Sequence, residues 1–107
     1  MHTSFSTQQV SITVSASGAI ADSTEISFGE YQSGTVYVPA GSGLTSLTWH
    51  AAPVLGGTYL AAYNASGAVV QTVQAGRCYP IPTDLKGSVG LKIAGNTDGS
   101  VDVSLKG

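Results

Sequence analysis

The stretch VGLKIAGNTDGSVDVSLKG, residues 89–107, alternates apolar and polar side chains almost without a break. A period of two sends successive side chains to opposite faces of a strand, so the chain is strand on both sides of the turn cluster GNTDG. Val89, Leu91 and Ile93 share one face, with Gly90, Lys92 and Ala94 on the other. Val101, Val103 and Leu105 resume the apolar face, against Asp102, Ser104 and Lys106. A hairpin with Ala94 opposite Ser100 sets Ile93 against Val101 and Leu91 against Val103. The same register sets Lys92 against Asp102, an opposite-charge cross-strand pair. A slip of one residue would undo both matches.

The rest of the chain follows the same rule. In TYLAAYNASGAVVQTV the turn NASG separates two expected strands, about Thr58 to Tyr63 and Ala68 to Val73, with Tyr59, Ala61, Val69 and Val73 on one face. QVSITVS places Val10, Ile12 and Val14 together, TEISF offers Ile26 and Phe28, and GTVYVP offers Val36 and Val38. Pro39 ends that strand because it has no N–H for the ladder. LTSLTWHA puts Leu47, Trp49 and Ala51 on one side and His50 on the other. RCYPIP reads as a broken extended piece, and TDLKG as a short helical or 3₁₀ turn carrying Leu85. About eight short strands, with turn signals roughly every ten residues, predict an all-β fold. The expected form is an antiparallel two-sheet β-sandwich, jelly-roll-like or Ig-like.

Composition agrees. The chain has 107 residues, the size of one domain, 1–107. Charged residues are 9% of it, against about 25% in an average globular protein. Good helix formers other than Ala are scarce, while Ser, Thr, Gln and Asn, which suit strands and turns, are abundant. Net charge is −2, and Arg77, Lys86, Lys92 and Lys106 are scattered, which argues against nucleic acid as a partner. No window reaches the ~18 apolar residues of a membrane span. The opening MHTSFSTQQ has no basic segment followed by an apolar run, so no signal peptide is expected. Cys78 is the single cysteine, so no internal disulfide is possible, and synthesis in a cytoplasm is expected.

No reactive constellation stands out. His2 and His50 are the only histidines, and His50 has no Cys, His, Asp or Glu within ten residues. A zinc site needs three or four converging ligands. Cys78 has no base placed beside it and reads as a small buried residue. The carboxylates are Asp22, Glu25, Glu30, Asp84, Asp98 and Asp102, and none falls in a calcium-loop or paired-carboxylate pattern. Asp98 reads as a turn residue and Asp84 as a cap. No cofactor is expected, and no catalytic role. PAGSG, residues 39–43, lacks the Lys and helix of a phosphate loop and reads as a turn. Among the aromatics, Trp49 alternates with Leu47 and belongs to the core. Tyr37 alternates away from Val36 and Val38 and is the best exposed candidate for contact with a partner or a sugar.

Two stretches, SGTVYVPAGSGLTSLTWHA and AGRCYPIPTDLKGSVGLKIAGNTDGSVDVSLKG, carry a resemblance. From about Ile26 onward the chain is similar in texture and spacing to small β-sandwich proteins encoded with the virion genes of tailed bacteriophages, and most resembles capsid decoration (cement) proteins. The resemblance implies a non-enzymatic structural protein, often a homotrimer, seated on a major capsid protein or another virion protein. It also implies a place in the phage particle after synthesis in a bacterial cytoplasm. The low charge fits a surface partly covered by a partner. Residues 1–9 read as an arm, with His2, Thr3, Ser4 and Phe5 as partner contacts and Phe5 as the apolar anchor. Other readings are a tail, baseplate or fibre module and, in a different class, a carbohydrate-binding β-sandwich module using Tyr37.

Overall fold

A computed structural model describes residues 7–16, 23–29, 31, 33–85 and 88–106. It is all-β, as the alternation predicts. The strands in these residues are β1 (Thr7–Ala16), β2 (Ile26–Ser27), β3 (Ser33–Val38), β4 (Ser46–Ala52), β5 (Leu60–Ala61), β6 (Tyr63–Asn64), β7 (Gly67–Ala68), β8 (Val70–Thr72), β9 (Arg77–Pro80), β10 (Gly90–Gly95) and β11 (Gly99–Lys106). A 3₁₀ turn, Thr83–Leu85, buries Leu85 as expected. Among the described residues no helix is long and apolar enough to cross a membrane.

Nine strands form one mixed sheet in the order β5-β4-β10-β1-β11-β3-β9, with β2 also on β10 and β8 also on β4. β6 and β7 form a separate two-stranded ribbon. The sheet is organised around β1. Its first part pairs antiparallel with β11, from Thr7 opposite Lys106 to Val14 opposite Gly99. At Ser15 it changes neighbour and runs parallel to β10, Ser15 opposite Ala94 and Ala16 opposite Gly95. The Ser23 hydroxyl fills the gap where these ladders diverge, accepting from the Ser15 N–H at 3.1 Å and donating to the Ile93 carbonyl at 2.7 Å. Thr7, Gln8 and Gln9, read above as the end of an arm, belong to this strand.

Two expectations change here. One pair, β1 with β10, is parallel rather than antiparallel. The C-terminal strands also do not pair as a hairpin, because β1 lies between them. Val101 faces Ile12 and Val103 faces Val10, while Ile93 faces Trp49 and Leu91 faces Ala51. Lys92 therefore lies opposite His50, and Asp102 lies between Ser11 and Tyr37. The physical reason lies in the connection, which is tied to other segments. Asn96 Oδ1 accepts from the Thr45 N–H at 2.7 Å, Asn96 Nδ2 donates to the Gly43 carbonyl at 3.3 Å, and Asp98 Oδ1 accepts from the Ala16 N–H at 2.8 Å. The link is an arch that straddles β1. Gly95 at its start cannot carry a side chain, since a Cβ there would come within 2.6 Å of Leu44 and 2.9 Å of Val14.

The inward assignments hold with two departures: Ala94, expected on the opposite face, is buried too, and on β4 Ala52 is buried while Ala51 is only partly so. Ile12, Val14, Ile26, Phe28, Val36, Val38, Leu47, Trp49, Leu91, Ile93, Val101, Val103 and Leu105 are all buried. The side chain of Val10 is outside the described set. Each fully buried aliphatic or aromatic side chain contributes about 1.5–3 kcal/mol relative to exposure. Trp49 is the largest of them, and its indole N–H donates to Gln71 Oε1 at 2.9 Å. The Gln71 amide donates in turn to the Pro80 carbonyl at 2.7 Å, so one side chain joins β4, β8 and β9.

The NASG turn is where the sequence puts it, but its flanking strands are broken into short pieces. The Ala62 N–H donates to the Trp49 carbonyl, the Trp49 N–H to the Val69 carbonyl, and the Val69 N–H to the Ala62 carbonyl. At that junction the chain leaves the edge of β4, makes the β6–β7 ribbon, and returns to the same edge. Ala62, not Ala61, packs on the core, together with Val69 and Val73, while Tyr59 is half-buried. The ribbon is a finger projecting from the middle of the sheet edge.

Candidate partner-binding surface

His2, Thr3, Ser4 and Phe5 lie outside the described residues, as do Asp22 and Glu30. Tyr37 is on β3 and is 46% exposed. Alternation explains this directly: Val36 and Val38 turn into the core, so Tyr37 turns out. Across the ladders it meets Asp102 on β11 and Cys78 on β9, and Ser11 follows beyond Asp102. Directly opposed residues share a face, so Ser11, Asp102, Tyr37 and Cys78 form one outward row. Cys78 is exposed, which corrects the reading of it as buried. Its neighbour Tyr79 takes the inward position on β9, packs on the core, and accepts the Gln74 N–H at 2.8 Å.

A second polar cluster lies where β2 and β10 meet the loop 53–59. The Glu25 carboxylate, just before β2, accepts the Gly56 N–H at 2.7 Å and the Tyr59 hydroxyl. Lys92 Nζ stands 4.9 Å from the centroid of the Tyr59 ring. The Gly56 N–H, then the Tyr59 hydroxyl, hold the Glu25 carboxyl below its ordinary value, with Lys92 assisting. Burial, and then the Glu25 acceptor, push the Tyr59 hydroxyl above its ordinary value. Gly90 belongs to this cluster, because the Tyr59 hydroxyl occupies the space its Cβ would need. Loop 53–59 is thereby clamped to β2 and β10. His50 is half-buried on β4, and its Nδ1 is buried without a hydrogen-bond partner.

Asp98 and Asp84 do structural work, Asp98 on Ala16 and Asp84 Oδ2 accepting from Asn64 Nδ2 at 3.3 Å. Among the described residues no three His, Cys, Asp or Glu side chains come together as a metal site. The aromatics do not align as a platform. Trp49 is in the core, Tyr31 and Tyr79 pack against it, Tyr59 lies under Lys92, and Tyr37 and Tyr63 are exposed.

A set of exposed apolar side chains escaped the alternation argument. Val54, Leu55, Leu60, Tyr63 and Val70 are exposed, Leu60 by 68% and Tyr63 by 71%. All five come from the loop 53–59, the strands β5 and β8, and the finger. A sequence signal for them exists: between Glu30 and Arg77 there is no Asp, Glu, Lys or Arg. An open groove of about 530 Å³ runs beside the finger, lined by Asn64, Val70, Gln71, Pro80, Pro82 and Asp84 among others. No known family model matches the chain, and neither curated proteins nor solved structures give a match.

Proposed function

We propose that this chain is a non-enzymatic virion structural protein, a capsid decoration or cement subunit that binds and stabilises a phage head shell. The observation that carries the reading is that Val54, Leu55, Leu60, Tyr63 and Val70 are all exposed on a stretch free of formal charge. Large apolar side chains left in water on one uncharged stretch of chain are covered when another protein docks there. The textural likeness to phage cement proteins supplies the identity of that protein, a major capsid protein or another virion component. In this reading the fold is a two-sheet sandwich of jelly-roll type. β1 serves both sheets, pairing first with β11 and then with β10. The rigid β core presents Tyr37 on one face and the apolar edge at one side, and residues 1–6 extend the contact as an arm with Phe5 as its anchor. Thr7–Ala16 is strand, so the proposed arm is residues 1–6 rather than 1–9.

Co-sedimentation with emptied phage heads tests this. Deleting residues 1–6 spares β1, so the far-UV spectrum and melting temperature stay unchanged while affinity for heads falls at least tenfold. Head binding as tight as that of the full chain removes the arm from the account. A tail, baseplate or fibre module is the alternative within virions.

One observation favours a reading of another class. The outward row Ser11–Asp102–Tyr37–Cys78 sets an exposed aromatic ring beside a carboxylate and a hydroxyl, which are groups that hold sugars. A glycan array with wild type and Tyr37→Ala tests it: a hit lost on substitution supports a carbohydrate-binding module, and an empty array removes it.

A further inference from the structure

We infer that β8 is a self-pairing edge, through which two copies of this chain join antiparallel across a two-fold axis. The backbone geometry comes first. Among the described residues β8 pairs only with β4, with Thr72 opposite Ser46, Gln71 opposite Leu47 and Val70 opposite Thr48. The Trp49 N–H donates to the Val69 carbonyl and the Val73 N–H to the Thr45 carbonyl. In an antiparallel ladder hydrogen-bonded pairs alternate with non-bonded ones. Residues 69, 71 and 73 therefore bond to β4, and the N–H and C=O groups of Val70 and Thr72 point to the outside of the sheet. Val70 is half-exposed and Thr72 is exposed, whereas Gln71 turns inward to Trp49.

An edge of this form complements itself. With Gln71 on the axis, Val70 of one copy lies opposite Thr72 of the second, and each such pair exchanges both hydrogen bonds. The finger leaves β4 on the N-terminal side of Val70, so the antiparallel arrangement puts the two fingers at opposite ends of the contact.

The choice of a second copy rests on charge. A two-fold contact brings each patch against itself, so any charge near the axis meets its like. Natural edges are guarded by Lys, by Pro, or by inward charges. The far edge of the sheet, β9, has Arg77 and Pro80. β8 has neither, and no formal charge occurs between Glu30 and Arg77; Asp84, which lines the groove beside Val70 and Gln71, accepts from Asn64 Nδ2 of the same chain. The flanking Leu60, Tyr63 and Val70 add exposed apolar area. A standard interface covers about 800 Å² per partner, about one-seventh of this chain's 5923 Å² surface. The inference assigns Val70 and its neighbours Leu60 and Tyr63 to a second copy and leaves Val54, Leu55 and Tyr37 to a shell; its test uses the purified chain alone, so it can fail while the virion reading stands.

Sedimentation equilibrium and light scattering on the full chain test it, with circular dichroism as the check on folding. Wild type sediments as a dimer at micromolar concentration. Val70→Lys and Thr72→Glu, both at outward positions, each raise the dissociation constant at least tenfold. Mixed in equal amounts they regain the dimer, because the new ammonium on one copy then faces the new carboxylate on the other. Tyr37→Glu, on a different face, neither disrupts the dimer nor rescues Val70→Lys. Wild type that stays monomeric to millimolar concentration overturns the inference. So does the trimer that the phage resemblance implies, a dimer indifferent to Val70→Lys, or a folded mixture that remains monomeric.

Discussion

Residues 89–107 and residues 58–73 look alike on paper, each two apolar runs around a polar turn, yet they fold in opposite ways. The first has the stronger alternation and is not a hairpin: its strands flank β1 and contribute six side chains, Leu91, Ile93, Ala94, Val101, Val103 and Leu105, to the core. The second has the weaker alternation and does turn back on itself, but as a finger whose strands are exposed. The difference teaches what a period of two encodes. It says which side chains face inward, because that follows from each residue's own backbone. It does not say which strand lies alongside, because that depends on a competing segment. β1 offers β11 a ladder from Thr7 to Val14, and the arch residues Asn96 and Asp98 are anchored to segments elsewhere.

The comparison can be broken most severely in the first region. Ile93→Ala, at a fully buried site, is expected to cost about 2–5 kcal/mol, read from urea denaturation, and a cost under 1 kcal/mol would contradict the buried assignment. Gln71→Leu comes next. It leaves the Trp49 indole N–H and the Pro80 carbonyl without their partner, at about 1–3 kcal/mol, and a neutral result would mean that the bridge between β8 and β9 contributes nothing. Asp98→Ala removes the acceptor for the Ala16 N–H at the arch, for about 1 kcal/mol, with hydrogen exchange at Ala16 as a local readout. Acid acts on the loop that precedes the finger. The Glu25 carboxyl is held below its ordinary value of 4.5, so its stabilisation is present above that value and fades as pH falls through the folded value. Protection of the Gly56 amide, its exchange relative to the intrinsic rate at each pH, should fall as pH drops through the folded value below 4.5, and in Glu25→Gln that fall in protection should vanish. At the small end, Tyr63→Ala should change stability by no more than about 0.5 kcal/mol.

Legibility in the sequence follows the same division. Tyr37 was readable because its neighbours are apolar on both sides. Cys78 was not, because RCYPIP lacks alternation and only the pairing of β9 with β3 fixes Tyr79 inward and Cys78 outward. The choice of Ala62 over Ala61 depends on the junction at Trp49, a contact between distant segments that no local pattern records. The apolar edge was visible as a run without charge, and a run of that kind becomes informative only once the strands show which of its members stay exposed.

The most direct measurement is mass spectrometry with cryo-electron microscopy on particles purified from the host that makes the chain. The account predicts one or more copies per lattice position on the outer surface of the head, with the apolar edge and Tyr37 facing protein density. A chain absent from purified particles and recovered only as free protein in the lysate would contradict it.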